Sequence, residues 1–105
     1  MNGQAALTEA VYYILLSLAS PRHGYGIMQE TGRMSQGRVK LAAGTLYGAL
    51  NGLLDRGWIR ADPGAEDSRR KEYALTDKGK EALESELDRL KELVDNGESV
   101  LGGEE

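Results

Sequence analysis

Three consecutive cations, Arg69-Arg70-Lys71, form the longest run of like charge in this 105-residue chain. Such a cluster suits phosphate oxygens, either along one nucleic-acid strand or inside a narrow groove. Arg38 and Lys40 add two more cations just ahead of a segment, residues 43–56, that reads as a helix. Its outward positions are small or polar: Ala43, Gly44, Thr45, Tyr47, Gly48 and Asn51. Small residues let a backbone approach another molecule closely. Hydroxyls such as those of Thr45 and Tyr47 bond phosphates, and an amide such as that of Asn51 reads a base edge. Tyr25, on the preceding short helix, joins them as a candidate contact.

Residues suited to catalysis are scarce by comparison. There is no cysteine, which excludes disulfides and thiolate metal sites, and the single His23 excludes a histidine cage. His23 is expected to fix the turn before a helix. Gly24 and Gly26 are expected to serve packing, since no G-x-G-x-x-G follows them. Carboxylates are plentiful, but none is paired with a nucleophile, a metal set or a phosphate loop at a recognisable spacing. The chain is therefore expected to be no enzyme and to need no cofactor.

The net charge of −4 argues against nucleic acid only until it is divided along the chain. Residues 1–80 hold 11 Lys+Arg against 8 Asp+Glu, a net of +3, and residues 81–105 hold 2 against 9, a net of −7. A weakly basic working part is thus followed by an acidic helix with another task. No apolar run approaches the roughly 20 residues of a membrane span, and the N-terminus lacks the basic start of a secretory signal, so a cytoplasmic protein is expected.

Elements must hold these residues in place. Thr8 caps a first helix carrying Val11, Ile14, Leu15 and Leu18 at helical spacing, which stops before Ser20-Pro21. Tyr12 and Tyr13 widen its apolar surface, so it is expected to be covered on more than one side. A second helix runs from about His23 to Gly37, and the alternation Arg38-Val39-Lys40-Leu41 predicts a short strand. In the third helix Leu46, Leu50, Leu53 and Leu54 face inward, and Gly57 stops it. Residues 58–61 and 70–75 read as a hairpin with a long polar tip. Thr76 caps a last helix in which Leu83, Leu87, Leu90 and Val94 stand 4, 3 and 4 residues apart, the seam of a coiled coil. Asn96-Gly97 is a candidate stop for it. The expected fold is mainly α with a small β-hairpin wing: a winged helix-turn-helix domain over residues 1–75, a dimerisation helix over 76–101 and a disordered tail at 102–105.

Three stretches, in order, resemble the PadR family of transcriptional regulators. They are His23-Gly24-Tyr25-Gly26-Ile27, then Gly44-Thr45-Leu46-Tyr47-Gly48-Ala49-Leu50 with Leu53-Leu54-Asp55-Arg56-Gly57-Trp58-Ile59, and Arg69 to Gly79 leading through Leu75-Thr76-Asp77-Lys78-Gly79. The resemblance spans roughly residues 7–95 and is similar to the compact subfamily with one C-terminal helix. It implies a homodimeric repressor bound to double-stranded DNA at a palindromic operator, often released by a small aromatic or drug-like effector. Dimer contacts would come from Val11, Tyr12 and Leu15 on the first helix and Leu83, Leu87, Leu90 and Val94 on the last. An effector would sit between subunits near Tyr12, Tyr13, Leu87 and Leu90. A second reading stays open: a winged-helix protein-interaction module without DNA binding, in keeping with the few basic residues on the third helix.

Overall fold

The computed structural model describes residues 6–62 and 71–102. Its elements in chain order are α1 (Glu9–Ser17), α2 (Gly24–Met34), α3 (Ala43–Asp55), β1 (Ile59–Asp62), β2 (Glu72–Leu75) and α4 (Asp77–Leu101).

Local chemistry sets where these begin and end. Thr8 Oγ1 accepts a hydrogen bond from the Val11 N–H at 3.1 Å, and Glu9 places a negative charge in the first turn of α1. Thr76 Oγ1 does the same for α4 by accepting from Gly79 N–H at 3.1 Å, with Asp77 as the first-turn acid. The Thr76 hydroxyl also donates to the Gly57 carbonyl at 2.6 Å, tying the start of α4 to the end of α3. Gly57 turns the chain out of α3 at φ 75, a left-handed conformation that glycine adopts without steric cost.

The core collects one face from each element. Ile14, Leu15 and Leu18 of the α1 region meet Ile27 of α2, Leu46, Leu50 and Leu53 of α3, Trp58 and Ile59, Tyr73 of β2, and Ala82 and Leu83 of α4. At about 1.5–3 kcal/mol per fully buried aliphatic side chain, Leu15, Ile27 and Leu46 are among its main supports. The hairpin is antiparallel, with Ile59 opposite Leu75 and Asp62 opposite Glu72. Its β2 edge is closed by the α1–α2 connection: Tyr73 and Arg22 exchange two backbone hydrogen bonds of 2.9 and 3.1 Å. At Gly79 a Cβ would fall onto the Trp58 carbonyl, so α4 crosses the strand entrance at backbone contact.

Two expectations are corrected. Residues 38–41 form no strand. Ser35 instead closes this turn, its Oγ accepting from Val39 N–H at 2.9 Å and its carbonyl from Arg38 N–H at 3.1 Å, so the segment lies on no sheet edge. The last helix does not stop at Asn96-Gly97 but continues to Leu101. One interior glycine costs about 1 kcal/mol, which an already nucleated helix absorbs. Of the expected tail, Gly102 caps α4 and residues 103–105 lie outside the described residues. No described helix is long and apolar enough to cross a membrane.

Candidate nucleic-acid interface

With Leu46, Leu50 and Leu53 buried, α3 turns Ala43, Gly44, Thr45, Tyr47, Gly48 and Asn51 to solvent. Gly44, Gly48 and Gly52 follow one another at four-residue spacing, and a Cβ at any of them would meet nothing within 4 Å. This face is therefore stripped to backbone along much of the helix.

The helix starts divide into two kinds. α1 and α4 are capped by threonine side chains, whereas α2 after His23 and α3 after Ala42 have no side-chain cap. First-turn N–H groups without a side-chain cap carry the positive end of the helix dipole and suit anions. The start of α2 lies against the side of α3. A Cβ at Gly24, in the first turn of α2, would fall on the Tyr47 hydroxyl of α3. Tyr47, expected to reach outward, thus leans its hydroxyl on α2 while the residue as a whole stays 44% exposed. Burial, with a smaller contribution from the Tyr47 hydroxyl, pushes the pKa of the neighbouring Tyr73 upward. Tyr25 projects from the same first turn of α2 and is 68% exposed.

The wing base is held to this corner. His23 Nδ1 lies 3.4 Å from the Lys71 carbonyl, a hydrogen bond when that nitrogen carries the proton. The contact reaches the wing base 48 residues on, not the turn before α2 that His23 was expected to fix. Lys71 itself is exposed, and Arg69 and Arg70 lie outside the described residues. Ahead of α3, Lys40 is exposed, whereas the Arg38 guanidinium pairs with the Glu9 carboxylate of α1. That hydrogen bond raises the pKa of Arg38, and the Tyr13 hydroxyl adds to it.

Sequence reasoning missed the uncapped start of α2 and the role of Glu9. The first had a signal: neither position 23 nor 42 holds Ser, Thr, Asp or Asn, unlike positions 8 and 76. The second had none, because Glu9 and Arg38 are 29 residues apart.

The candidate pairing residues split as well. Leu15 has no exposed surface and Leu83 is buried in the same core, so both are corrected from interface to core. Val11, Tyr12 and Leu90 are partly buried, and Leu87 and Val94 are exposed. The apolar stripe runs on through Leu93, Val100 and Leu101, all more than half exposed. The first turns of α4 bury this stripe in the domain, and every residue from 91 to 101 is exposed. At the changeover, buried Glu86 receives Arg89 Nε and Nη2 at 2.9 and 2.6 Å and Leu7 N–H at 3.4 Å. The Arg89 bonds, helped by Leu7, hold the Glu86 pKa below the usual carboxylate range against the opposing pull of burial.

A cavity of about 440 Å³ lies between α1 and α4, walled by Tyr12, Leu16, Leu75, Lys80, Leu83 and Leu87 among others. A second cleft of about 290 Å³ is lined by Leu7, Glu9, Tyr12, Tyr13, Glu86 and Leu90. The four residues expected around an effector are thus shared between two adjoining clefts, with Tyr12 in both. Among the described residues no group of three or more carboxylates and imidazoles could hold a metal ion.

Solved structures share this architecture. A PadR family transcription regulator from Clostridium difficile R20291 is 23% identical with a TM-score of 0.71, over 91% of this chain and all of that one. One from Eggerthella lenta DSM 2243 is 25% identical with a TM-score of 0.68, over 89% of this chain and 81% of that one. BpsR of Bordetella bronchiseptica, whose DNA binding is regulated by 6-hydroxynicotinic acid, is 18% identical with a TM-score of 0.71, over 99% of this chain and 68% of that one. No curated protein sequence gives a match. The family described as transcriptional regulator PadR-like matches residues 13–85, more than half of the chain. With its winged helix and long C-terminal helix, the chain belongs to the PadR-like family of transcriptional regulators.

Proposed function

We propose that the protein is a homodimeric, sequence-specific DNA-binding repressor that a small aromatic effector releases. It acts in the cytoplasm by occupying DNA, without a catalytic step. The observation that carries this reading is the uncapped start of α2 lying against the glycine-flattened helix α3, whose own start is also uncapped. Two open helix N-termini offer phosphates N–H donors without needing basic side chains. That offsets the scarcity of cations on α3. Thr45 and Asn51 face the groove in this reading, and Lys71, with Arg69 and Arg70, follows the backbone at the wing.

Pairing through the exposed half of α4 and the outer side of α1 sets two recognition helices about 34 Å apart, one turn of DNA. The apolar stripe of α4 supports this, since Leu87 and Val94 are exposed and Leu90 is only partly covered among the described residues. The α1–α4 cavity is the effector site we assign. A ligand there acts by preferring one spacing of the two recognition helices. The regulation of BpsR by 6-hydroxynicotinic acid supports a small aromatic ligand.

The test is fluorescence anisotropy with duplexes tiling the DNA upstream of the gene, repeated from low to high salt. Binding should fall with a log–log slope of about −0.9 per phosphate contact. Absence of salt-sensitive binding to every duplex would refute the reading. It would instead favour a protein-interaction module, a reading supported by the absence of Lys and Arg from α3.

A further inference from the structure

The sequence gives Arg38 and Lys40 equivalent parts, two cations on the approach to α3. The structure separates them. Among the described residues Lys40 makes no ion pair, while the guanidinium of Arg38 meets the carboxylate of Glu9 and the hydroxyl of Tyr13, one turn apart on α1.

We propose that Glu9 and Arg38 form a latch: Glu9 holds Arg38 off the DNA in the free protein, and a backbone phosphate takes its place on binding. This rests on the DNA-binding reading above. Arg38 lies four residues before Ala42, the position at which α3 begins with an open first turn. Its side chain is 60% exposed and that of Glu9 48%, so the pair is screened and weak. A buried pair would be a fixed brace, but an exposed one exchanges partners readily. A guanidinium receives carboxylate and phosphate with the same forked geometry. Glu9 is not stranded by the exchange, because it sits in the first turn of α1, where the helix dipole favours a negative charge. While the latch is closed, the approach to α3 carries one cation fewer in each protomer.

The experiment compares wild type, Glu9→Gln, Arg38→Ala and the double variant on one duplex, by anisotropy across a salt series. Glu9→Gln should bind tighter by about two- to five-fold per protomer, the range of an exposed ion pair. Arg38→Ala should bind more weakly, with a salt slope shallower by about one per half-site. The double variant should match Arg38→Ala, because without Arg38 there is nothing to release. The latch is overturned if Glu9→Gln leaves affinity unchanged. It is equally overturned if Glu9→Gln tightens binding as much in the Arg38→Ala background, which marks a general loss of negative charge. Melting curves without DNA establish that all four proteins fold. Wild-type protein that binds no duplex overturns the functional reading itself, an outcome distinct from either of the others.

Discussion

Replacing Gly79 with alanine tests the most tightly determined contact in the fold. An added Cβ would fall on the Trp58 carbonyl oxygen, with the carbonyl carbon at 2.8 Å and the Trp58 Cα at 3.1 Å. All three are backbone atoms, and none can swing aside as a side chain would. The Trp58 carbonyl also accepts the Thr76 N–H at 3.0 Å, so moving it disturbs the entrance to α4. Overpacking of this kind costs about 3 kcal/mol at the upper end of its range. Alanine returns about 1 kcal/mol of helix propensity, leaving a loss of about 2 kcal/mol. Gly32→Ala is the matched control. It lies inside α2, a Cβ there would meet nothing within 4 Å, and it should stabilise by about 1 kcal/mol. Thermal unfolding at one protein concentration should show the first variant melting about 8–16 °C lower than wild type and the second about 4–8 °C higher. Equal or greater stability of Gly79→Ala, or destabilisation by Gly32→Ala, would refute the reasoning.

Other predictions follow from the same structure. Leu90→Asp with Val94→Asp should leave the domain folded, shift sedimentation to the monomer and abolish tight operator binding, because the seam then holds like charges. Gly48→Ala should raise the melting temperature yet weaken DNA binding, since its methyl stands on the stripped face of α3; tighter binding would contradict that role. Glu86→Gln tests linkage to pH. The folded-state pKa of Glu86 lies below its unfolded value, so its contribution is present above about pH 4.3 and is lost as pH falls through the folded pKa. The melting difference between wild type and Glu86→Gln should therefore be largest near neutrality and shrink in acid.

Much of the fold was legible because its signals are local. Thr76 with Asp77 marks the start of α4, Gly57 the end of α3, and Leu46, Leu50 and Leu53 the inner face between them. The strand expected at residues 38–41 shows where local pattern fails. Alternation makes a strand only beside a free sheet edge, and the β2 edge is taken by Arg22. Leu15 shows a second limit. α1 is apolar on several sides, and spacing alone does not say which side meets its own core. For the candidate site, the small residues of α3 could be read directly. The tilt of Tyr47 onto Gly24 and the hold of Glu9 on Arg38 depend on how helices pack, which no local spacing encodes.

The exposed half of α4 has one more consequence. Residues 91–101 lie beyond the core, so substitutions there are free of the packing constraints that bind Leu83 or Ala82. Duplicated copies of such a gene could drift at Leu93, Val94, Val100 and Leu101 without losing the fold. Each copy would then come to recognise only itself, because mismatched stripes lose contacts and bring like charges together. In the homodimer proposed above, this exposed segment would thus be the one that keeps sister regulators from forming mixed pairs.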